Sequence, residues 1–475
     1  MKKTFAALFL LMSVQAIWAE GLLNSVSWDN IRSHPAPLPV SGELAARPSS
    51  LDAPSIWSVG VEAMDRGYGV FSEFSKYVGE TGVGYGRLQS GWARTETKKG
   101  KYDFAWLDEH VDGLLAQGVH PWMCLCYGNA LYTRGGTGLD AKLFPDGPVM
   151  DAWLKYIRTV VSRYKGKITM WEIWNEPNGP NNLDSYPLYA NLFVRTAKVI
   201  REVDPDAKIA AFASWSPDLD YIRQAMELIA AADGVKYIDC ITVHAYFQIP
   251  ETIIPAMEKL RRDIDVYNPG IVLLQGEAGC PSHLEYAPSS LKDVDWTETS
   301  QAKWELRHML NFYSLGVPTS VFTMVDLRYD WKLQTFGLIR MDLRKRPVYK
   351  RPKFYAVQHV TSVFTPDLVP VDGVTVNCAL PRDIRCVGLA KKGKTVGCLL
   401  WFGGATPTPS LDRTMVDLGI GGIDFRDPVY VDLLTGYIHD MSGVVLRGLH
   451  NDCGTQLRGL PLWDCPVMVI ERDAL

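Results

Sequence analysis

The sequence predicts a TIM (β/α)8 barrel followed by a C-terminal β-sandwich, and three observations carry that expectation. From about residue 55 to 350, short apolar runs alternate with amphipathic stretches of helical period. The apolar runs number eight. After Pro352 the helical period gives way to short Val- and Thr-containing runs separated by Gly and Pro. Strands alternating with helices imply right-handed βαβ units and a parallel sheet. Eight such units in roughly 300 residues fit a closed barrel better than an open sheet.

The eight runs are Ile56–Val61, Val83–Leu88, His120–Tyr127, Ile168–Trp174, Lys208–Ala213, Tyr237–Val243, Ile271–Gln275 and Thr319–Val325. Between them, spacing near 3.6 predicts helices over Phe104–Gln117, Met150–Tyr164, Pro187–Val203, Leu219–Ala231 and Lys303–Leu315. Gly118, Gly166 and Gly316 follow closely on helices, where a C-terminal stop belongs. Beyond residue 350, runs such as Val396–Phe402, Pro428–Leu433 and Pro466–Glu471 read as antiparallel strands. The expected division is a leader over 1–19, an N-terminal segment over 20–54 that is open to joining the sandwich, a barrel over 55–350 and the sandwich over 351–475.

The leader is read from Lys2 and Lys3, the apolar run Ala6–Val14, and small residues at Ala16 and Ala19. Cleavage is expected near Ala19, which predicts a secreted or periplasmic protein. That run is too short to span a bilayer, and no later stretch reaches the roughly 18 apolar residues a span requires. A net charge of −4 gives no indication of nucleic-acid binding. Nine cysteines is an odd count, so at least one thiol lacks a partner within the chain. Cys378 with Cys386 and Cys453 with Cys465 are the expected disulfides, and Cys124 and Cys126 are expected as buried free thiols. Neither CxxC nor HExxH occurs, so no metal site is indicated.

The chemistry-bearing signal is Met170-Trp-Glu-Ile-Trp-Asn-Glu-Pro-Asn178, which closes the fourth strand and places Asn175 and Glu176 at the C-terminal mouth, where barrel active sites are built. Alternation puts Glu172, Trp174 and Glu176 on one inward face. Glu172, deeper in the strand, reads as a structural carboxylate paired with an Arg. A carboxyl flanked by Trp has surroundings that raise its pKa, as a general acid requires. The second signal, Leu273-Leu-Gln-Gly-Glu-Ala-Gly279, puts Glu277 at the mouth of the seventh strand, 101 residues on and across the barrel. Facing carboxyls of this kind are the equipment for glycosidic cleavage, and a separation of about 5–5.5 Å leaves no room for a water between them.

The WNEPN string after strand four and the Glu after strand seven resemble the 4/7 retaining glycosidases of clan A, and Met170–Asn178 most resembles glycoside hydrolase family 39. The stretch Gly100-Lys-Tyr-Asp-Phe104, with Leu107 and Asp108, is similar to that group as well. The resemblance covers roughly residues 55–345. It implies Glu176 as general acid/base, Glu277 as nucleophile, Arg87 as support for the nucleophile, and Asn175 as a partner of the sugar 2-hydroxyl. It further implies that Tyr246, with His244 beside it, closes strand six against the nucleophile. Trp215 and Asn129, with Tyr127, Asp326 and Trp331, stand at other strand ends as substrate-binding candidates. The expected function is a retaining β-glycosidase, exo-acting on oligosaccharides, that needs neither metal nor organic cofactor. The rivals are an endo-acting polysaccharide hydrolase and a non-catalytic carbohydrate-binding protein on the same scaffold.

Overall fold

The computed structural model describes residues 22–133, 136–138, 141–179, 184–283, 290–446 and 454–475. The leader, its cleavage site and Cys453 lie outside the described residues. Eight parallel strands close into a barrel: β1 (Ser58–Gly60), β2 (Tyr85–Gln89), β3 (His120–Leu125), β4 (Met170–Ile173), β5 (Lys208–Ser214), β6 (Cys240–His244), β7 (Val272–Ala278) and β8 (Thr319–Val321), with β8 returning to β1. All eight fall within or overlap the runs expected from the sequence. The sixth differs at its start, because Val235–Tyr237 is a 3-10 turn and pairing begins only at Cys240.

The five expected helices are present, as Ala105–Ala116, Pro148–Tyr164, Tyr186–Val203, Leu219–Ala231 and Glu298–Ser314. Among the described residues two further long helices, Ile254–Asp265 and Pro352–Val363, and three short ones, Val26–Arg32, Phe71–Phe74 and Trp92–Thr95, were not expected. The helical period was expected to give way after Pro352, yet Pro352 occupies a first helical turn, where a missing N–H costs nothing and the fixed φ suits the helix. The helix Pro148–Tyr164 buries Met150, Trp153, Tyr156, Ile157, Val160, Val161 and Tyr164 against the barrel.

The C-terminal part is two antiparallel sheets. The larger has seven strands in the order Leu368–Val371, Ile384–Lys391, Lys394–Phe402, Val467–Glu471, Pro428–Asp432, Tyr437–Asp440 and Val40–Glu43. Its last strand comes from the N-terminal segment, pairing Val40 with His439 and Glu43 with Tyr437. The smaller sheet has four strands, Thr375–Cys378, Thr414–Gly421, Thr455–Leu462 and Val445–Leu446. Cys378 and Cys386 therefore sit in different sheets, and both thiols are free, contrary to the expected disulfide. Cys386 shares a thiol hydrogen bond with Cys398 on the neighbouring strand. Cys124 and Cys126 are buried and free. Among the described residues no helix is long and apolar enough to cross a membrane.

The helix Glu298–Ser314 lies between barrel and sandwich, and it is buried along almost its entire length although it carries Lys303, Glu305 and Arg307. Each charge has a partner: Lys303 reaches Asp464 at 2.6 Å, Glu305 reaches Lys353 at 2.9 Å, and the Arg307 guanidinium is paired with Glu251. Glu251 also accepts a hydrogen bond from the indole of Trp401 in the sandwich, at 2.9 Å. One carboxylate thus ties a barrel loop, a barrel helix and the second domain together. Glu251→Ala strands the fully buried Arg307 charge and should cost about 3–5 kcal/mol, the penalty of an uncompensated buried ion. Urea denaturation of the whole chain checks this; a loss under about 1 kcal/mol would show that the pair adds little to the domain contact.

Candidate active site

The site is assembled where β4, β6 and β7 end, around a guanidinium supplied by β2. Arg87 has no exposed surface, so each of its donors must find an acceptor inside the protein. Its Nε and Nη2 donate to Glu172 Oε2, its Nη2 also to Asn175 Oδ1 at 2.7 Å, and its Nη1 to Glu277 Oε2 at 2.6 Å and Glu62 Oε1 at 3.2 Å. Glu172 is the structural carboxylate read from the sequence, steadied further by the Thr242 hydroxyl.

Strand β4 stops at Ile173, and the next residues leave the strand conformation abruptly. Trp174 and Glu176 have φ values of 68° and 50°, a left-handed backbone that costs a non-glycine residue about 1–3 kcal/mol. Packing holds it there. The Trp174 ring is boxed by Tyr127, Phe144 and Trp153, each with its centroid 5.9 Å away, and the backbone N–H groups of Trp174 and Glu176 donate to Leu125 and Ala213. This corrects the alternation argument. The left-handed turn takes Trp174 out of the inward row and onto the helix Pro148–Tyr164, while Glu176 still reaches the mouth.

His244 and Tyr246, two residues apart at the end of β6, serve different carboxyls. His244 Nδ1 lies 2.7 Å from Glu176 Oε1, and Tyr246 donates its hydroxyl to Glu277 Oε1 at 2.7 Å. One oxygen of Glu176, one of Glu277 and a ring nitrogen of His244 all lie within 4.8 Å of one another. Three ligands of a metal ion could adopt such spacing. Here, however, the Arg87 guanidinium is bonded to one Glu277 oxygen and the Tyr246 hydroxyl to the other, and the guanidinium charge opposes a second positive charge.

Burial is the largest single influence on Glu176, Glu277 and His244. It pushes the Glu176 carboxyl above its ordinary range; the bond to His244 works against that shift and the Glu277 charge works with it. Burial pushes Glu277 the same way but is outweighed by the His244 and Arg87 charges and by the Tyr246 and Arg87 hydrogen bonds, so Glu277 is held below the ordinary range. His244 is raised, because the two carboxylates beside it overcome its desolvation. Two adjacent carboxyls are thus displaced in opposite directions, the mark of an acid and a base assigned by environment.

The remaining expected residues divide. Asn175 is buried with its amide fixed by Arg87 and by the Tyr127 hydroxyl at 2.7 Å, which leaves it oriented beside Glu176. Trp215 is half-buried, its backbone N–H held by Asn178 Oδ1. Asn129 spends its side chain on the backbone of Trp92, Glu96 and Leu131, as a turn residue does. Asp326 binds Arg351, Arg340 and the N–H groups of Gly337 and Met341. Neither is brought to the carboxyl pair. Sequence reasoning missed Glu62, Arg66, Tyr68 and Tyr329. Arg66 lies over the Tyr68 and Tyr127 rings, and Tyr68 and Tyr329 stand 4.3 Å apart, forming an aromatic wall. Glu62 follows β1 directly, and a carboxyl closing an otherwise apolar run was the signal that could have found it.

A closed (β/α)8 barrel with two facing carboxyls at the C-terminal mouth, one raised and one lowered, is the frame of a glycoside hydrolase. Residues 87–260 match the model of glycosyl hydrolases family 39. The chain is a glycoside hydrolase that resembles that family over those residues. Among solved structures it is similar to a family 39 glycoside hydrolase from the gut symbiont Bacteroides cellulosilyticus WH2, with a TM-score of 0.63, 16% identity, and coverage of 89% of this chain and 82% of that one. It is similar also to a monomeric β-xylosidase from Caulobacter crescentus CB15, with a TM-score of 0.57, 16% identity, and coverage of 90% and 97%. A family 39 enzyme from Xanthomonas axonopodis pv. citri gives 0.55, 16%, 92% and 98%. At these identities the structures speak for the fold.

A hydrolase that needs Glu176 protonated and Glu277 ionised has a bell-shaped kcat/KM profile, with its acid limb from Glu277 and its alkaline limb from Glu176. His244→Asn removes an influence that lowers both groups. Both limbs should therefore move to higher pH. A variant profile with unmoved limbs would show that His244 tunes neither carboxyl.

Proposed function

We propose that the protein is a secreted β-glycosidase, exo-acting on oligosaccharides, with Glu176 as general acid/base and Glu277 as nucleophile. The observation that carries this reading is the opposed pair itself, with oxygens within 4.8 Å and pKa values displaced in opposite directions. That spacing fits double displacement, since inverting pairs stand about 6.5–9.5 Å apart to admit a water. In the first step Glu277 attacks the anomeric carbon while Glu176 gives its proton to the departing oxygen. Forming the ester removes the Glu277 charge, which lowers the Glu176 pKa and converts it to a base for the incoming water. In this reading Asn175 bonds the 2-hydroxyl, and Trp215 and the Arg66–Tyr68–Tyr329 wall bound the sugar.

Exo action is favoured by the depth of the pair. Glu176 is 6% exposed and the Glu277 side chain 12%, a recess suited to a chain end more than to an open cleft for polysaccharide. The two acidic residues with their separate partners also weigh against a non-catalytic carbohydrate-binding scaffold. Export rests on Lys2, Lys3 and the apolar run Ala6–Val14. Because a β-xylosidase shares the fold, aryl β-D-xylosides head the substrate screen.

Glu176→Ala should cut hydrolysis of natural substrates by about 10²–10⁴-fold, the usual contribution of a general acid. Substrates with very acidic leaving groups should still glycosylate the protein, and added azide should restore turnover to give a β-glycosyl azide. Equal loss on both substrate kinds, with no rescue by azide, would falsify the role given to Glu176.

A further inference from the structure

Three carboxyl groups converge on Arg87, and they are held unequally. Glu172 takes two of its N–H groups and the Thr242 hydroxyl. Glu277 takes Nη1 at 2.6 Å and the Tyr246 hydroxyl at 2.7 Å. Glu62 has one side-chain partner, Arg87 Nη1 at 3.2 Å, and its own backbone N–H beside it; its other oxygen, Oε2, is buried with no hydrogen-bond partner. The Glu62 side chain is 2% exposed, so water does not solvate it. It folds back over Gly60, where a Cβ would fall 2.0 Å from Oε2. The titratable groups acting on it are Arg87 from β2, Glu277 from β7 and Tyr246 after β6; past the end of β8 the Thr323 hydroxyl is spent on the Gly60 carbonyl. One guanidinium cannot neutralise three buried carboxylates, and the proton goes to the carboxyl held least well.

We propose that Glu62 is a positioning residue for the reaction, holding a proton in the resting protein and releasing it when Glu277 loses its charge in the covalent intermediate. This rests on the reading of Glu277 as nucleophile. As the bond between Glu277 and the anomeric carbon forms and the bond to the leaving oxygen breaks, Glu277 becomes a neutral ester. Arg87 then lacks one of its anionic partners. Glu62 then dissociates, its proton leaving to bulk water by way of the mouth of the site, and takes that place as a carboxylate. On deglycosylation Glu277 regains its charge and Glu62 regains a proton. The total charge around Arg87 stays constant through the cycle, so the guanidinium keeps its place and continues to orient Asn175. The electrostatics agree: burial above all raises the Glu62 carboxyl to about 7, Arg87 opposes that shift, and the Glu277 charge adds to it.

The test needs no substrate, because Glu277→Gln reproduces the neutral state of the intermediate. Whole protein labelled with 13C at the glutamate side-chain carboxyls is titrated by NMR, and the Glu62 signal is assigned by its loss in Glu62→Gln. Glu62→Asp keeps a carboxyl and loses the same signal, which secures the assignment if the amide variant fails to fold. The wild-type signal should titrate near 7, and in Glu277→Gln its acid dissociation constant should rise at least about tenfold, by roughly one pH unit or more. A wild-type Glu62 that titrates in the ordinary carboxylate range, or a midpoint unmoved in Glu277→Gln, would overturn the proposal. A midpoint that moves as expected while a trapped sugar is found away from Glu277 would leave the link between the two carboxyls standing and remove the reading of Glu277.

Discussion

A single buried cation organises the mouth of this barrel. Arg87 enters from β2 without exposed surface and binds groups carried by β4, β7 and the end of β1. A buried guanidinium is tolerable only when its donors are satisfied and its charge is met, so the positions of Glu172, Asn175 and Glu277 are set by the same requirement. The Asn175 amide is aligned because Arg87 holds its oxygen and Tyr127 takes its N–H. Burial would raise Glu277, but His244, the same guanidinium and the Tyr246 hydroxyl together hold it below its ordinary range. Truncating Arg87 would free both at once, which makes it the constraint on which the rest of the site depends.

Around that cation, a two-residue spacing does much of the sorting. His244 and Tyr246 leave the end of β6 and reach one carboxyl each, a neutralising partner for Glu176 and a hydrogen-bond donor for Glu277. Two acids of the same chemistry are thereby given different environments within a few ångströms. The left-handed backbone at Trp174 and Glu176 is part of the same arrangement. Its cost is carried by the Trp153–Phe144–Tyr127 box, so the position of Glu176 is fixed by packing well behind the pocket.

Much of this was legible in the sequence. The eight apolar runs gave the barrel because strand and helix periods differ so clearly, and the string Met170–Asn178 marked the mouth of β4. Arg87, Asn175, His244 and Tyr246 all gather around Glu176 and Glu277. What escaped has physical reasons. Pro352 both ends and begins structure, depending on whether its missing N–H is needed. Trp174 breaks period two because the backbone turns left-handed there, and periodicity assumes regular backbone. Asn129 and Asp326 stand at strand ends but spend their polar atoms on backbone and on Arg351, a choice only the folded chain reveals. Glu62 has no motif; its meaning comes from sharing one guanidinium with Glu172 and Glu277, two residues far away in the chain.

The central claim is that Glu277 attacks the sugar. The most direct measurement is to inactivate the protein with 2,4-dinitrophenyl 2-deoxy-2-fluoro-β-D-xyloside, or the corresponding glycoside of whichever sugar it cleaves, and to map the labelled peptide. Fluorine slows both steps while the acidic leaving group keeps the first faster than the second, so the intermediate accumulates. One sugar per chain is expected, attached to Glu277 within Leu273–Gly279. A label on any other carboxylate would contradict it.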